Sequence, residues 1–173
     1  GCFQLKVIFK AVKLVFTLLI YNIRKPKRIS ILNDYYPGIN KEEIPLKVFT
    51  PNRPSKHHII IYPGASPYAE EHPGMIMLGS LLANIGYRTY MPRIPLLKEL
   101  IINEEIVTWF EHFYLWLLKE KRISSKNISL IGMSFGGAMT LKMSIQKSIE
   151  NFLPKSIFVY GSYYDLKAGL EFI

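Results

Sequence analysis

The sequence predicts an α/β domain built on a mostly parallel sheet. Short apolar runs rich in β-branched residues alternate along the chain with longer segments of helical spacing. With 173 residues, of which 49% are hydrophobic, the chain is long enough to bury a single core. The run of residues 128–131 also passes through a glycine-flanked turn directly into a helical pattern, as expected at the carboxyl end of a parallel strand.

The first segment, residues 1–27, is predicted to be a basic amphipathic helix followed by a basic stretch. Its uninterrupted apolar run, residues 14–21, is too short to cross a bilayer, which needs about 20 residues. We predict that residues 1–28 lie on a membrane surface, where their cations attract anionic lipid. A packing or cap helix on the domain, and the remnant of a signal anchor, are the alternatives.

The positive charge of the chain is concentrated in that first segment. Seven of the 22 basic residues lie within residues 1–28, which contain no acid, so that 15 basic residues face 13 acidic ones in the rest of the chain. A nearly neutral body argues against a nucleic-acid-binding groove. The single cysteine, Cys2, excludes an internal disulfide framework.

The main domain, residues 28–173, is predicted to begin with two short strands, at residues 28–32 and 44–50. A turn around Pro37 and Gly38 separates them, and the prolines of residues 51–54 end the second strand. A third, fully buried strand follows His57 and ends at Pro63-Gly64, where the missing Cβ allows backbone to approach a ligand.

Four further elements follow before the central turn. The pattern predicts a helix at 75–85 closed by Gly86, a strand at 87–92, an apolar loop at 93–102 that would help to wall a binding site, and a helix running to 121 behind an Asn103 cap. In that helix, residues 109, 113, 116 and 117 form an apolar stripe that is typical of core packing. A helix from 136 to about 149 and a strand at 155–160 follow the turn.

The central turn has the sequence Gly132-Met-Ser134-Phe-Gly136 between that strand and helix. Such a tight turn holds Ser134 in a strained conformation with its hydroxyl at the carboxyl end of the strand, and glycines on either side remove clashing Cβ atoms. With this context the chain resembles the α/β-hydrolase superfamily, most closely its esterases and lipases. The resemblance implies a three-layer α/β sandwich, truncated after about the sixth strand, in residues 28–173.

The resemblance also implies roles for individual residues. Ser134 would be the nucleophile of a carboxylic ester hydrolase that forms an acyl-enzyme, with Gly132 and Gly136 shaping the turn. The backbone N–H groups of Phe135 and of Ala65 or Gly64 would bind the oxyanion. Asp165, after the sixth strand, is a candidate for the acid that orients the general base. An ester or lipid is the implied substrate, and no cofactor or metal is required.

The histidine that such an enzyme needs is not evident in the sequence. Its four histidines, at positions 57, 58, 72 and 112, all precede Ser134, whereas the superfamily places its histidine after the eighth strand. We expect a piece of a longer reading frame that supplies the missing groups, and hence little ester turnover by these 173 residues alone. The alternative is a catalytically inactive binding protein of the same fold attached to a membrane, so the predicted location is the cytoplasm or a membrane periphery.

Overall fold

The computed structural model describes residues 29–161. The predicted helix of residues 1–27 and the predicted acid Asp165 lie outside this range. Six strands are present in it: β1 (Ser30–Pro37), β2 (Glu43–Thr50), β3 (His58–Tyr62), β4 (Arg88–Pro92), β5 (Ile128–Met133) and β6 (Ser156–Tyr160). The four α-helices of the same range are α1 (Pro73–Asn84), α2 (Pro95–Lys98), α3 (Glu105–Glu120) and α4 (Phe135–Ser144).

The strands form one twisted, mostly parallel sheet in the order β1-β2-β4-β3-β5-β6. Strands β4, β3, β5 and β6 run parallel, while β1 and β2 form an antiparallel hairpin that joins the sheet through β4. Strand β3 lies at the centre, with Tyr62 opposite Gly132 of β5. The carboxyl end of β3 therefore lies beside the turn that contains Ser134.

Helices cover both faces of the sheet and make three layers, as the sequence predicted. Successive residues of a strand point to opposite faces, and accordingly Ile60 packs with α3 and α4 while Ile59 and Ile61 pack with α1. Both faces of β3 are therefore buried, which is the usual environment of a central parallel strand. None of the helices formed by residues 29–161 is long and apolar enough to cross a membrane.

Strand β1 is longer than the sequence predicted. It continues through residues 34–37, which we expected to form a loop, and the turn lies at residues 38–42. The cause is Tyr36, whose buried ring packs edge-on against Phe113 of α3 with a centroid distance of 4.8 Å. Tyr36 and Phe113 lie far apart in the sequence, so their contact could not be predicted. The turn-forming residues Pro37 and Gly38 therefore led us to end the predicted strand too early.

Aromatic side chains dominate the core between the sheet and α3. Phe113 contacts the rings of Tyr36, Tyr62 and Trp116, which confirms that the apolar stripe on this helix faces the core. Tyr62 stacks on Phe110 at 4.0 Å and donates its O–H to the Phe110 carbonyl oxygen at 2.7 Å. Burial raises the pKa of Tyr62 well above its usual value, so the phenol remains a protonated donor.

Replacement of Phe113 by alanine tests this core. The ring is fully buried and its loss leaves a cavity among three aromatic partners, so we expect the free energy of unfolding to fall by about 3–5 kcal/mol. Urea unfolding followed by tryptophan fluorescence measures the loss. The exposed Glu120→Ala at the end of the same helix is the control, with an expected change within about 0.5 kcal/mol; equal effects of the two substitutions would contradict the assignment.

Candidate active site

Ser134 lies between β5 and α4 in a conformation that residues other than glycine rarely adopt. Its φ is 53° and its ψ is −124°, and a residue held in such a region costs of order 1–3 kcal/mol. Two backbone hydrogen bonds hold it: the Ser134 N–H donates to the Tyr160 carbonyl at 2.6 Å, and the Ser134 carbonyl accepts from the Gly137 N–H at 2.9 Å. The strand, turn and helix predicted around Ser134 are confirmed.

Glycines allow the chain to turn this sharply because α4 begins in contact with neighbouring backbone. A Cβ on Gly132 would lie 2.5 Å from the Gly137 Cα, and one on Gly136 would collide with the carbonyl oxygen of Pro63. Gly137, which sequence reasoning did not single out, is equally confined, since its Cβ would collide with the Val159 side chain. The pair of adjacent glycines at positions 136 and 137 could have indicated from the sequence that both positions are confined.

The loop after β3 lies directly against Ser134. A Cβ on Gly64 would stand 3.2 Å from the Ser134 Cβ and 3.1 Å from the Met133 carbonyl oxygen. Within residues 29–161, no hydrogen bond occupies the amide N–H of Ala65 or Phe135. The structure therefore brings the residues predicted to bind an oxyanion to the same place as Ser134, and their role stays a prediction.

Two contacts fasten this loop to the segment that follows β4. The Ser66 N–H donates to the Leu97 carbonyl at 3.1 Å, and the Lys98 ammonium donates to the Pro67 carbonyl at 2.9 Å. Both partners belong to α2. Helix α2 and the loop after β3 therefore hold each other in position, and Gly64 of that loop lies close to Ser134.

Two ion pairs hold the same loop to the sheet. The buried carboxylate of Glu70 accepts from the Nε and Nη2 of Arg93 at 3.1 and 2.5 Å, and Lys47 contacts Glu71 at 2.8 Å. A bidentate pair fixes the orientation of both groups. Arg93 also donates its backbone N–H to the Pro45 carbonyl, so the pair connects the loop to β2 and β4 together.

The four histidines do not approach Ser134 through any hydrogen bond in the described part of the chain. His72 caps α1, where its Nδ1 accepts from the Gly74 N–H at 3.1 Å, and His112 contacts the Pro37 carbonyl at 2.7 Å. His57 and His58 lie at the start of β3, at the opposite end of the strand from Ser134. Their place at the entry of the strand, far from Ser134, predicts that both face solvent, and this holds for His57.

His58 corrects that prediction. Its ring is half-buried, stacks on Tyr90 at 5.9 Å and places Nδ1 3.2 Å from the Tyr90 hydroxyl. Burial, followed by the charges of Arg88 and His57, lowers the pKa of His58 to about 4. Tyr90 of β4 pairs with Ile60 of β3. The spacing of residues along the chain did not reveal this neighbour of His58.

The segment at 93–102, predicted to be an apolar loop beside a binding site, contains the short helix α2. Ile94 and Leu97 are fully buried in the core, and the exposed apolar residues of the segment are 100–102. Asn103 follows them, and its Oδ1 accepts from the Glu105 N–H at 2.9 Å. The role of the segment in a binding site stays a prediction.

Solved structures similar to this chain are hydrolases. Esterase B from Lactobacillus rhamnosis matches with a TM-score of 0.58 and 14% sequence identity over 92% of this chain. S-formylglutathione hydrolase (FrmB) from Staphylococcus aureus matches with a TM-score of 0.56 and 13% identity over 84%. Oligopeptidase B from Trypanosoma brucei matches with a TM-score of 0.55 and 9% identity over 77%.

These matches show the fold and leave the reaction open. The chain covers 58% of the esterase, 64% of the S-formylglutathione hydrolase and 20% of the oligopeptidase. No protein-family model and no curated protein sequence matches it significantly. The chain has the α/β-hydrolase fold, and the three structures split different bonds with it, so the bond must be argued from the site.

Replacement of Gly136 by alanine tests the contact between α4 and the loop after β3. The new methyl group would meet the rigid backbone of Pro63, and we expect a loss of about 1–3 kcal/mol in the free energy of unfolding. Gly74→Ala is the control, because its Cβ would meet only the movable ring of His72, at 3.3 Å. A Gly136→Ala protein as stable as the control would show that this contact is not rigid.

The buried ring of His58 predicts a loss of stability in acid. Since the pKa of His58 is about 4 in the folded chain and 6.5 is its ordinary value, the unfolded chain binds the proton first as the pH falls. The contribution is fully present above pH 6.5 and is lost as the pH drops toward 4. Because the ring is half exposed, we expect a loss of roughly 1–2 kcal/mol after solvent screening.

Urea unfolding at pH 7 and at pH 4.5 measures this loss. His58→Gln is expected to remove it, whereas His57→Gln, which leaves the buried ring in place, is expected to retain it. Identical pH dependence in the unsubstituted protein and His58→Gln would show that another group is responsible.

Proposed function

We propose that the protein is a carboxylic ester hydrolase in which Ser134 is the nucleophile. The observation that supports this is the position of Ser134: it is strained, half-buried and in contact with Gly64 at the carboxyl edge of the sheet. Strain at a non-glycine residue persists where surrounding structure enforces it, and such residues cluster at active sites. Nothing in the packing of a simple strand-to-helix turn requires a serine here.

The proposed reaction proceeds through an acyl-enzyme. The Ser134 Oγ attacks the ester carbonyl carbon while its proton passes to a general base, and the carbonyl oxygen becomes an oxyanion. The amides of Phe135 and of Ala65 or Gly64 donate to that oxygen, and Phe135 is the first residue of α4, where the helix dipole favours negative charge. As the intermediate collapses, the base gives its proton to the departing oxygen, which leaves as the alcohol. The base then takes a proton from water that attacks the acyl-enzyme and returns it to the Ser134 Oγ as the acid leaves.

The general base and its acid partner belong to the part of the protein outside residues 29–161 in this proposal. The histidines within that range have other contacts, as described above. Asp165 remains one candidate for the acid. The proposed division is that the described residues provide the nucleophile and the oxyanion donors, and a further segment provides proton transfer.

Removal of the Ser134 hydroxyl tests the proposal. In the complete gene product, we expect Ser134→Ala to lower the rate of 4-nitrophenyl butyrate hydrolysis by at least about 10³-fold and to abolish labelling by a fluorophosphonate. Ser148→Ala, an exposed serine bonded to Glu111, is the control and should retain both. Mass spectrometry locates the label.

A rate and labelling pattern that survive in Ser134→Ala would overturn the assignment of the nucleophile. Absence of both in the unsubstituted gene product would favour the alternative function, a catalytically inactive binding protein on a membrane. Binding to anionic vesicles that is lost on deletion of residues 1–28 would then support its membrane attachment.

A further inference from the structure

Residues 100–102 form an exposed apolar run between α2 and α3. Leu100, Ile101 and Ile102 keep 56%, 41% and 47% of their surface in water. Single exposed apolar residues are ordinary on protein surfaces, but three in succession are unfavourable unless they have a function. Glu99 alone separates the run from α2, and α2 is bonded to the loop after β3, whose Gly64 lies close to Ser134.

Leu100, just after the end of α2, is also strained. Its φ is 61°, and its N–H donates to Leu97 while the Ile101 N–H donates to Leu96. This is the pattern of a helix end at which glycine is the usual residue. Helix α1 has Gly86 at the corresponding position, and α3 has the polar, exposed Arg122 with φ of 50°.

Burial does not offset the strain at Leu100. A leucine in the left-handed region costs about 1–2 kcal/mol, and more than half of this side chain is in water. Neither helix capping nor core packing therefore accounts for leucine at this position. A ligand that covers the side chain would account for it.

The last residue of the run, Ile102, reaches the start of α4. Ile102 lines an apolar crevice together with Phe135 and Met139 of α4, and Phe135 directly follows Ser134. At the border of the crevice, Glu104 and Lys142 pair at 3.2 Å and neutralise each other. A chain that passes over this crevice would meet the apolar Ile102, Phe135 and Met139, the uncharged Asn103 and a neutralised ion pair.

We propose that residues 100–102 bind the hydrocarbon chain of the substrate and set a preference for neutral esters with several carbons in that chain. This inference rests on the proposed function, because it assumes that the ester group lies at Ser134. A carbon chain over Leu100 would be removed from water along with the leucine side chain. Such burial strengthens binding by up to about fourfold per methylene group.

The test measures binding without turnover. Calorimetric titration of the Ser134→Ala gene product with 4-nitrophenyl acetate, butyrate, hexanoate and octanoate gives the gain in affinity per methylene group. We expect the association constant to rise about twofold to fourfold per methylene group. After Leu100→Asn, the rise in its logarithm per methylene group should be at most half as large. Asparagine tolerates the left-handed conformation, so this substitution removes the apolar side chain and keeps the backbone.

Arg122→Asn is the matched control, because it introduces the same residue at the same kind of helix end, in place of a side chain that is already polar. It should leave the chain-length dependence unaltered, and both variants should keep the thermal midpoint within about 4 °C of the parent. Ile102→Thr, which alters the crevice and keeps the branched shape, is a second variant and should also reduce the gain per methylene.

Three results would overturn the inference. The first is an unchanged chain-length dependence in both Leu100→Asn and Ile102→Thr, and the second is no binding of any ester. The third is a large loss of stability in Leu100→Asn, because it would show that another part of the protein covers the run. The proposed function is judged separately by turnover in the protein with Ser134 intact. Chain-length-dependent binding without turnover would refute the hydrolase and retain the binding surface.

Discussion

The close approach of α4 to the ends of β3 and β5 is the constraint on which the rest of this structure depends. Gly132, Gly136 and Gly137 have no side chains, and backbone or core atoms occupy the space where their Cβ atoms would lie. Because the helix begins so close to the strands, the residue between β5 and α4 must adopt a positive φ. Ser134 is thus strained as a consequence of packing, and its bond to Tyr160 ties it to β6.

That strain is tolerable because the layers on both sides are rigid. On one face, Tyr62, Phe110 and Phe113 form a stacked and edge-on aromatic group, and Tyr62 satisfies its own hydroxyl inside it. Close packing of this kind resists the small shifts that would let the turn relax. The bidentate Arg93 and Glu70 pair has a comparable effect on the loop after β3, since it orients both groups as well as attracting them.

Local chemistry made the elements and the turn predictable, and long-range contacts account for the differences. The glycines around Ser134 and the apolar run of β3 specify backbone behaviour within a few residues, so their positions followed from the sequence. The end of β1 depends on the contact between Tyr36 and Phe113, and the burial of His58 depends on Tyr90 in the adjacent strand. Neither partner is identifiable from spacing along the chain. The position of Gly64 against Ser134 came from the family resemblance, and the structure supplies its physical basis in the pairing of β3 with β5.

The three helix ends meet one backbone requirement with three different residues. Each reverses the chain with the same pair of backbone hydrogen bonds, so the geometry of the end requires only a residue that accepts positive φ. Gly86 meets that need without strain, and Arg122 meets it with the same backbone strain as Leu100 but with its charged group in water. Leu100 meets it with strain and with an apolar side chain in water, beside a crevice that reaches the residue after Ser134. A stable fold does not need a strained leucine with its side chain in water. A site that binds a hydrocarbon chain does need exposed apolar side chains, because covering their surface is the source of the affinity for the chain.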